Sequence, residues 1–392
     1  MRENNIKKRS TYVDLFSCSK ICYDCFIMIY FKQWFQKTNL PYIIAGACVF
    51  LGILLLVLFS IFGEHPSDSR VDDTVVDTSE EVSAPASCTY MRHLDGVCVD
   101  SMTAQDPVLI GIMIENHYDA RPLSGLSRAS VVYEAPVEAN FNRFFALFPV
   151  DTDIQKVGPV RSARPYYLDW LSEYPGTMYM HVGGSPDALD KIAQYGLFDM
   201  NEFYHGWYYW RDTARYAPHN AYTSQKLWSA ALKDYGGTGD PVDTNVFRAW
   251  KFRSWDACEE QCVYEITTTF AGKTYEATWQ LNTSTEQYER YEFDEPVIDA
   301  ETKEHIIADT LIVQYVDTTV LDGVGRLGMD TIGSGEAIVF RNGFKVEGQW
   351  RKVSRTERTK FYDFDEEGHQ IELNAGKIWI VVMNRSDGIS FK

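Results

Sequence analysis

A chain of 392 residues with 45% hydrophobic and 14% aromatic content is longer than one ordinary domain and rich enough to build packed cores. Its formal net charge is −18; of 37 basic and 55 acidic residues, seven and three fall in residues 1–62, leaving 30 against 52 in the rest. A surface that acidic repels a phosphate backbone, so DNA and RNA are disfavoured as partners.

Residues 1–40 read as a cytoplasmic tail. Its Cys18, Cys22 and Cys25 have a Cys-x3-Cys-x2-Cys spacing. Three thiols without a fourth ligand do not complete a zinc or iron–sulfur site, and unremarkable reduced thiols are the expectation. Pro41 to Phe62 is a run of 22 residues without a charge. At ~1.5 Å per residue it spans roughly 33 Å, the thickness of a hydrocarbon core. Basic residues precede it and acidic ones follow, which orients the N-terminus inwards and the long C-terminal part outwards. The stretch before it is about forty residues long and no small-x-small site closely follows Phe62, so an uncleaved single-pass anchor at 41–62 is predicted rather than a signal peptide.

Residues 63–104 form a tether, rich at first in Ser, Asp, Thr, Val and Pro. It ends in Cys88-Thr-Tyr-Met-Arg-His-Leu-Asp-Gly-Val-Cys98, where Asp95-Gly96 signals a hairpin that Cys88 and Cys98 can close. Cys258 and Cys262 are the other extracytoplasmic pair, and two local pairs give two disulfides.

The first globular domain is predicted at 105–238, with strands near Pro107–Glu115, Ser130–Ala135, Phe141–Val150 and Thr177–Val182. Helices are predicted from Pro165 to Tyr174, from Ser185 (N-cap, with Pro at N1) to Tyr195 before Gly196, and from Thr223 or Ser224 to Tyr235. Gly236-Gly-Thr-Gly-Asp-Pro241 is the expected linker. Beyond it, at 245–392, strand patterns dominate: 263–270, 273–281, 287–293, 311–316, 336–341, 344–350 and 377–383, with Asn342-Gly343 a hairpin turn. The fold class is therefore α+β: a mixed α/β domain, then a mostly antiparallel β domain, behind one transmembrane helix.

The stretch that departs most from generic patterning is Lys156-Val-Gly-Pro-Val-Arg-Ser-Ala-Arg-Pro165, followed by His181-Val-Gly-Gly-Ser185. Arg161, Arg164, Arg211, Arg215 and His219 could converge with the Gly183-Gly184-Ser185 turn and His181 on a phosphate or carboxylate, since helix starts favour negative charge and guanidinium groups bind it bidentately. The competing reading pairs these arginines with the domain's own acids. Tyr204-His-Gly-Trp-Tyr-Tyr-Trp210 is an aromatic run that neither strand nor helix spacing can bury completely, which makes Trp207 and Trp210 candidates for stacking on sugar. Catalysis finds less support. Glu134 or Glu202 could supply a carboxylate and His181 or His219 a proton carrier, but Glu134 and Glu138 lie about 13 Å apart along an extended strand, wider than a glycosidase pair. No Gly-x-Ser-x-Gly or His-Glu-x-x-His occurs. His181, His219 and Asp187 are scattered, and neither a metal nor a cofactor is expected.

Gly111-Ile-Met-Ile-Glu-Asn-His117, Arg121-Pro-Leu-Ser-Gly-Leu126, Val132-Tyr-Glu-Ala-Pro-Val-Glu138, Val157 to Pro165, His181-Val-Gly-Gly-Ser185 and Ala217-Pro-His-Asn220 resemble the YerB family of bacterial envelope proteins. Asp330-Thr-Ile-Gly-Ser-Gly335, Trp350 and Lys360-Phe-Tyr-Asp363 resemble that family's second domain, so that the likeness covers roughly 105–385. The resemblance implies a two-domain protein tethered to the outer face of the cytoplasmic membrane, with no enzymatic role to carry over. Many members are lipoproteins; here Ala45-Gly-Ala-Cys48 lacks the leucine three residues before the cysteine, and the membrane helix takes the lipid's place. The expected function is a non-catalytic module that binds a cell-wall glycan, peptide stem or anionic polymer. The alternatives are a wall-acting hydrolase and a scaffold for another envelope protein.

Overall fold

A computed structural model describes residues 88–236, 250–254, 258–270, 272–365 and 368–392. The predicted tail, membrane helix and most of the tether and linker lie outside the described residues. Among the described residues no helix is long and apolar enough to cross a membrane.

The N-terminal segment supplies five strands to the main sheet, β1 (Leu109–Glu115), β2 (Val131–Pro136), β3 (Asn142–Pro149), β4 (Met178–His181) and β5 (Phe198–Asn201). Its helices are α1 (Pro165–Leu171), α2 (Pro186–Tyr195), α3 (Glu202–His205) and α4 (Gln225–Tyr235). The C-terminal segment adds β6 (Glu265–Thr269), β7 (Glu276–Asn282), β8 (Gln287–Glu292), β9 (Thr310–Tyr315), β10 (Gly333–Arg341), β11 (Phe344–Lys352), β12 (Lys360–Asp363), β13 (Ile378–Met383) and β14 (Gly388–Phe391).

Local signals decide the element ends. Ser185 caps α2 by accepting from Ala188 N–H, and Gly196 closes that helix at φ +62°. Ser224 caps α4 in the same way. Asn342 and Gly343 both take positive φ, which is what the two-residue turn between β10 and β11 requires. The Cys258–Cys262 disulfide packs beside that turn, with Cys258 N–H donating to Asn342 O at 3.1 Å. Cys88–Cys98 closes the small hairpin that pairs Tyr90–Met91 with Cys98–Val99.

The two segments contribute to one sheet. Ten strands run in the order β12-β11-β10-β9-β13-β2-β3-β1-β4-β5, so the segments join where β13 lies parallel to β2, with Val381 opposite Glu134. Strand β13 reads Ile-Trp-Ile-Val-Val-Met and is buried throughout. Such a run needs a strand at each edge and cover on both faces, which a separate antiparallel domain would not supply. Side chains alternate as the pleat demands. Ile110, Ile112, Ile114, Phe144, Trp379 and Val381 face a core shared with Trp228 of α4 and with Ile266, Trp279 and Tyr288 of a smaller sheet ordered β8-β7-β6-β14. Leu109, Met113, Tyr133, Phe145, Ile378 and Ile380 face the opposite core, closed by Tyr167 and Trp170 of α1 and Ile192 of α2.

Strands β9, β13, β2, β1, β4 and β5 point the same way, as their pairings and the antiparallel β3 show. Their carboxyl ends therefore meet at one edge of the sheet, where binding clefts of α/β sheets form.

Candidate functional site

At that edge the two sequence stretches singled out above lie side by side. Val182 N–H donates to Arg161 O at 3.0 Å, Ala163 N–H to Gly183 O at 3.0 Å, and Ser185 N–H to Ala163 O at 3.3 Å. The ladder fixes the arginine stretch against the glycine turn, and Arg161 N–H donates to Met113 O of β1 at 2.9 Å.

Arg161 and Arg164 project from this frame with a third guanidinium, that of Arg143 at the start of β3. Arg161 donates through Nε to Glu115 Oε1 at 2.9 Å, and His219 Nδ1 meets the other oxygen of Glu115 at 2.7 Å. Arg164 grips Glu138 with both forks, at 2.6 and 2.7 Å. Arg143 is buried and donates Nη1 to Ser162 O at 2.7 Å, while its buried Nε finds no hydrogen-bond partner among the described residues. Burial, helped by the charges of Arg164 and Arg161, lowers the Arg143 guanidinium to about 10. Burial alone would raise the Glu138 carboxyl; the hydrogen bonds and charge of Arg164 outweigh it, and the group lies below its ordinary value. Three permanent cations thus face two carboxylates, which leaves the cluster electropositive in an acidic protein.

The turn that completes this frame is held from beneath. His181 is fully buried, with Nδ1 on Gly183 O at 2.7 Å and Nε2 on Asp199 Oδ1 at 2.8 Å. Gly183 takes φ +62° and donates its N–H to Asn201 Oδ1 at 3.0 Å; a Cβ there would come within 2.8 Å of the Phe203 ring. Phe203, at the head of the aromatic segment, is therefore seated directly on the glycine turn. Phe203, Tyr204 and Trp207 are exposed, Tyr208 and Tyr209 are buried, and Trp210 is half-buried against Tyr222. Gly183→Ala should accordingly lower unfolding free energy by about 1–3 kcal/mol, from positive φ and the ring contact together. A denaturant titration with an unchanged midpoint would contradict that account of the turn.

Several sequence expectations are corrected by this placement. Glu134 is not at the cleft: it is 0% exposed and receives Arg290 through both oxygens at 2.8 and 2.9 Å, Trp379 Nε1 at 2.7 Å, and Asn142 Nδ2. With every lone pair engaged it is a buried anchor, unavailable to a substrate. His181 commits both ring nitrogens to the protein and shapes the turn instead of facing a ligand. Ser185 spends its hydroxyl on the helix cap. Arg211 pairs with Glu202 at 3.0 Å and bonds Asn220 at 3.1 Å, which occupies both of those candidates. Arg215 turns to the carbonyls of Ala120 and Pro122, at 2.7 and 2.9 Å. An open cavity of about 670 Å³ lies here, lined by Asp119, Arg215, Tyr216 and His219 among others.

Glu115 and Arg143 were missed as site residues. Each is a charged residue at the end of an otherwise apolar strand, Ile-Gly-Ile-Met-Ile-Glu115 and Arg143-Phe-Phe-Ala-Leu-Phe, and that interruption was the available signal.

Comparison with known proteins agrees with this architecture. The family described as "Protein of unknown function (DUF3048) N-terminal domain" matches residues 94–237, and its C-terminal domain counterpart matches 266–380. The "Putative lipoprotein YerB" of Bacillus subtilis (strain 168) is 28% identical over 323 residues, which cover 81% of this chain and 91% of that protein. The crystal structure of the Bacillus subtilis YerB protein superposes with a TM-score of 0.64 at 23% identity, covering 76% of this chain and 99% of that one, a likeness of fold.

Proposed function

This chain belongs to the two-domain YerB-like family marked by the paired DUF3048 domains, and on that premise we propose that it is a membrane-anchored, extracytoplasmic binding module for an anionic cell-wall polymer. The observation that carries the reading is the imbalance at the carboxyl edge. Arg161 pairs with Glu115 and Arg164 with Glu138. The buried Arg143, its pKa lowered chiefly by burial, adds a third positive charge beside them that a phosphate or carboxylate held by Arg161 and Arg164 would help to balance. The exposed ring of Phe203, seated on the adjoining turn, and the exposed rings of Tyr204 and Trp207 that follow it supply flat apolar faces for sugar rings. Anchoring rests on the uncharged run at 41–62 and agrees with the lipoprotein designation of the Bacillus subtilis relative.

The candidates for chemistry support binding over hydrolysis, because Glu134, Glu202 and His181 are each engaged within the protein. The test is co-sedimentation of the detergent-solubilised chain with purified sacculi, before and after removal of their phosphate-linked polymers. Arg164→Ala is the informative variant: its partner Glu138 reaches solvent, so stability should change by only about 1 kcal/mol. Losing a charge-assisted bidentate contact worth ~1.5–3 kcal/mol should weaken binding roughly 10- to 100-fold. Arg161→Ala is less clean, since it strips a partner from the buried Glu115. Undiminished pelleting of a folded Arg164→Ala chain would defeat the reading, and release of wall fragments would replace it with a hydrolase.

A further inference from the structure

The fold brings His219 onto two metal-ligand side chains about a hundred residues earlier in the sequence. His117 and Asp119 follow β1, and His219 lies on the loop before α4; one ligand atom from each falls within 4.8 Å of the others. The imidazole rings of His117 and His219 are stacked with centroids 5.1 Å apart. His219 is held at Nδ1 by Glu115 Oε2 at 2.7 Å, which leaves Nε2 as its remaining donor. Glu115 is buried and is itself fixed by Arg161. A carboxylate on one ring nitrogen is the arrangement that orients a metal-binding histidine and raises its basicity.

We propose that His117, Asp119 and His219 form a site for one borderline divalent cation of the zinc type, with Glu115 as the orienting carboxylate. Two imidazoles and one carboxylate suit such a cation better than calcium or magnesium, which favour all-oxygen sets. Local charge permits it. Glu115 is paired with Arg161, and among the described residues Asp119 has no ion-pair partner but His117; Arg121 is paired with Glu292 at 2.8 Å, and Arg215 is directed at backbone carbonyls. The exposed Asp119 and the part-buried His219 line the open cavity, so a fourth position would face solvent, as in zinc sites that keep a ligand-exchange position. A second group, Asp363, Asp365 and His369, is close in sequence, and its His369 Nδ1 meets Asp365 Oδ2 at 2.5 Å. It serves as the comparison. The inference stands independently of polymer binding.

The experiment uses the full detergent-solubilised chain carrying C18S, C22S and C25S, so that no cytoplasmic thiol contributes. After treatment with a chelator, zinc chloride is titrated against a chromophoric competitor, and cobalt(II) replaces zinc for an absorption spectrum. The expected result is one equivalent bound, with visible cobalt bands of low-coordinate geometry. His117→Gln and Asp119→Asn should each weaken zinc by at least the roughly 10–100-fold that loss of an outer-shell partner costs. Both residues reach solvent, so the variants should keep the thermal unfolding midpoint of the parent without metal. His369→Gln should leave the affinity unchanged. Absence of binding, equal affinity in the His117 and Asp119 variants, or loss only in His369→Gln overturns the proposal.

Discussion

Arg290→Met is expected to remove about 3–5 kcal/mol of unfolding free energy, because it leaves the Glu134 carboxylate buried without its cation. Arg290 is 1% exposed and donates to both Glu134 oxygens, and it also meets Glu292 at 3.1 Å. Its guanidinium lies 5.1–5.5 Å from the ring centroids of Trp379, Trp279 and Phe144. These partners come from β2, β3, β7, β8 and β13, so the pair ties the smaller sheet to the seam between the two segments. Asn142 and Trp379 continue to donate to Glu134 in the variant, which places the loss in that range and below full desolvation of an ion. The double variant Glu134→Gln, Arg290→Met removes both charges and should recover part of the loss, since a neutral, well-packed replacement of a buried pair is often tolerated. Equilibrium denaturation followed by tryptophan fluorescence and by circular dichroism measures both. A loss under about 1 kcal/mol for the single variant would remove the pair from this role.

Glu173→Gln should have an effect of similar size by a different route. Glu173 follows α1 in the N-terminal segment and is fully buried. It accepts from Lys352 Nζ at 2.8 Å, from Thr359 N–H at 3.0 Å, and from the Thr359 hydroxyl at 2.7 Å. Arg358 stands 3.5 Å away, its guanidinium between the rings of Trp250 and Tyr174 at 3.9 and 4.3 Å. Glutamine preserves the shape but leaves two buried cations, Lys352 and Arg358, without a counter-charge, and that costs about 3–5 kcal/mol. Glu134 and Glu173 thus fasten the same two segments from opposite faces of one sheet. Unfolding should remain a single transition in both variants, with fluorescence and circular dichroism superimposed. Two resolved transitions, one for each segment, would show that the continuous sheet does not couple them.

The same geometry explains why an activity assay on Glu134→Gln would mislead. Any loss would report a weakened fold, because the carboxylate has no path to a ligand. The arginine cluster is different in kind: Arg164 and Glu138 reach solvent, and their substitution changes the cleft's charge while leaving the core intact.

Much of the fold was legible in the sequence because its causes are local. Apolar runs marked β1, β2, β3, β4 and β13 to within a few residues, and Ser185, Gly196 and Ser224 marked helix ends through caps that involve only adjacent turns. Asn342-Gly343 announced its hairpin, and the spacing of Cys88, Cys98, Cys258 and Cys262 announced both disulfides. The arginine and glycine stretches were also visible, since Arg161, Arg164 and Gly183 break the surrounding pattern. Short elements such as β5 and α3 carry too few residues to show a period.

What the tertiary structure alone decided is which charge meets which. Glu134 finds Arg290 across 156 residues, Glu173 finds Lys352 across 179, and Glu115 finds His219 across 104. No local spacing encodes those encounters. The first two follow from the joining of the two segments in one sheet, where β13 sits parallel to β2 because an all-apolar strand must be covered on both faces and paired on both edges. The third follows from the loop before α4 folding over the end of β1. Composition and local pattern therefore determined the elements and the electropositive stretch. Burial at the seam determined that Glu134 holds the structure, burial at the end of β4 did the same for His181, and Arg161 and Arg164 were left part-exposed beside the buried Arg143 with one carboxylate too few.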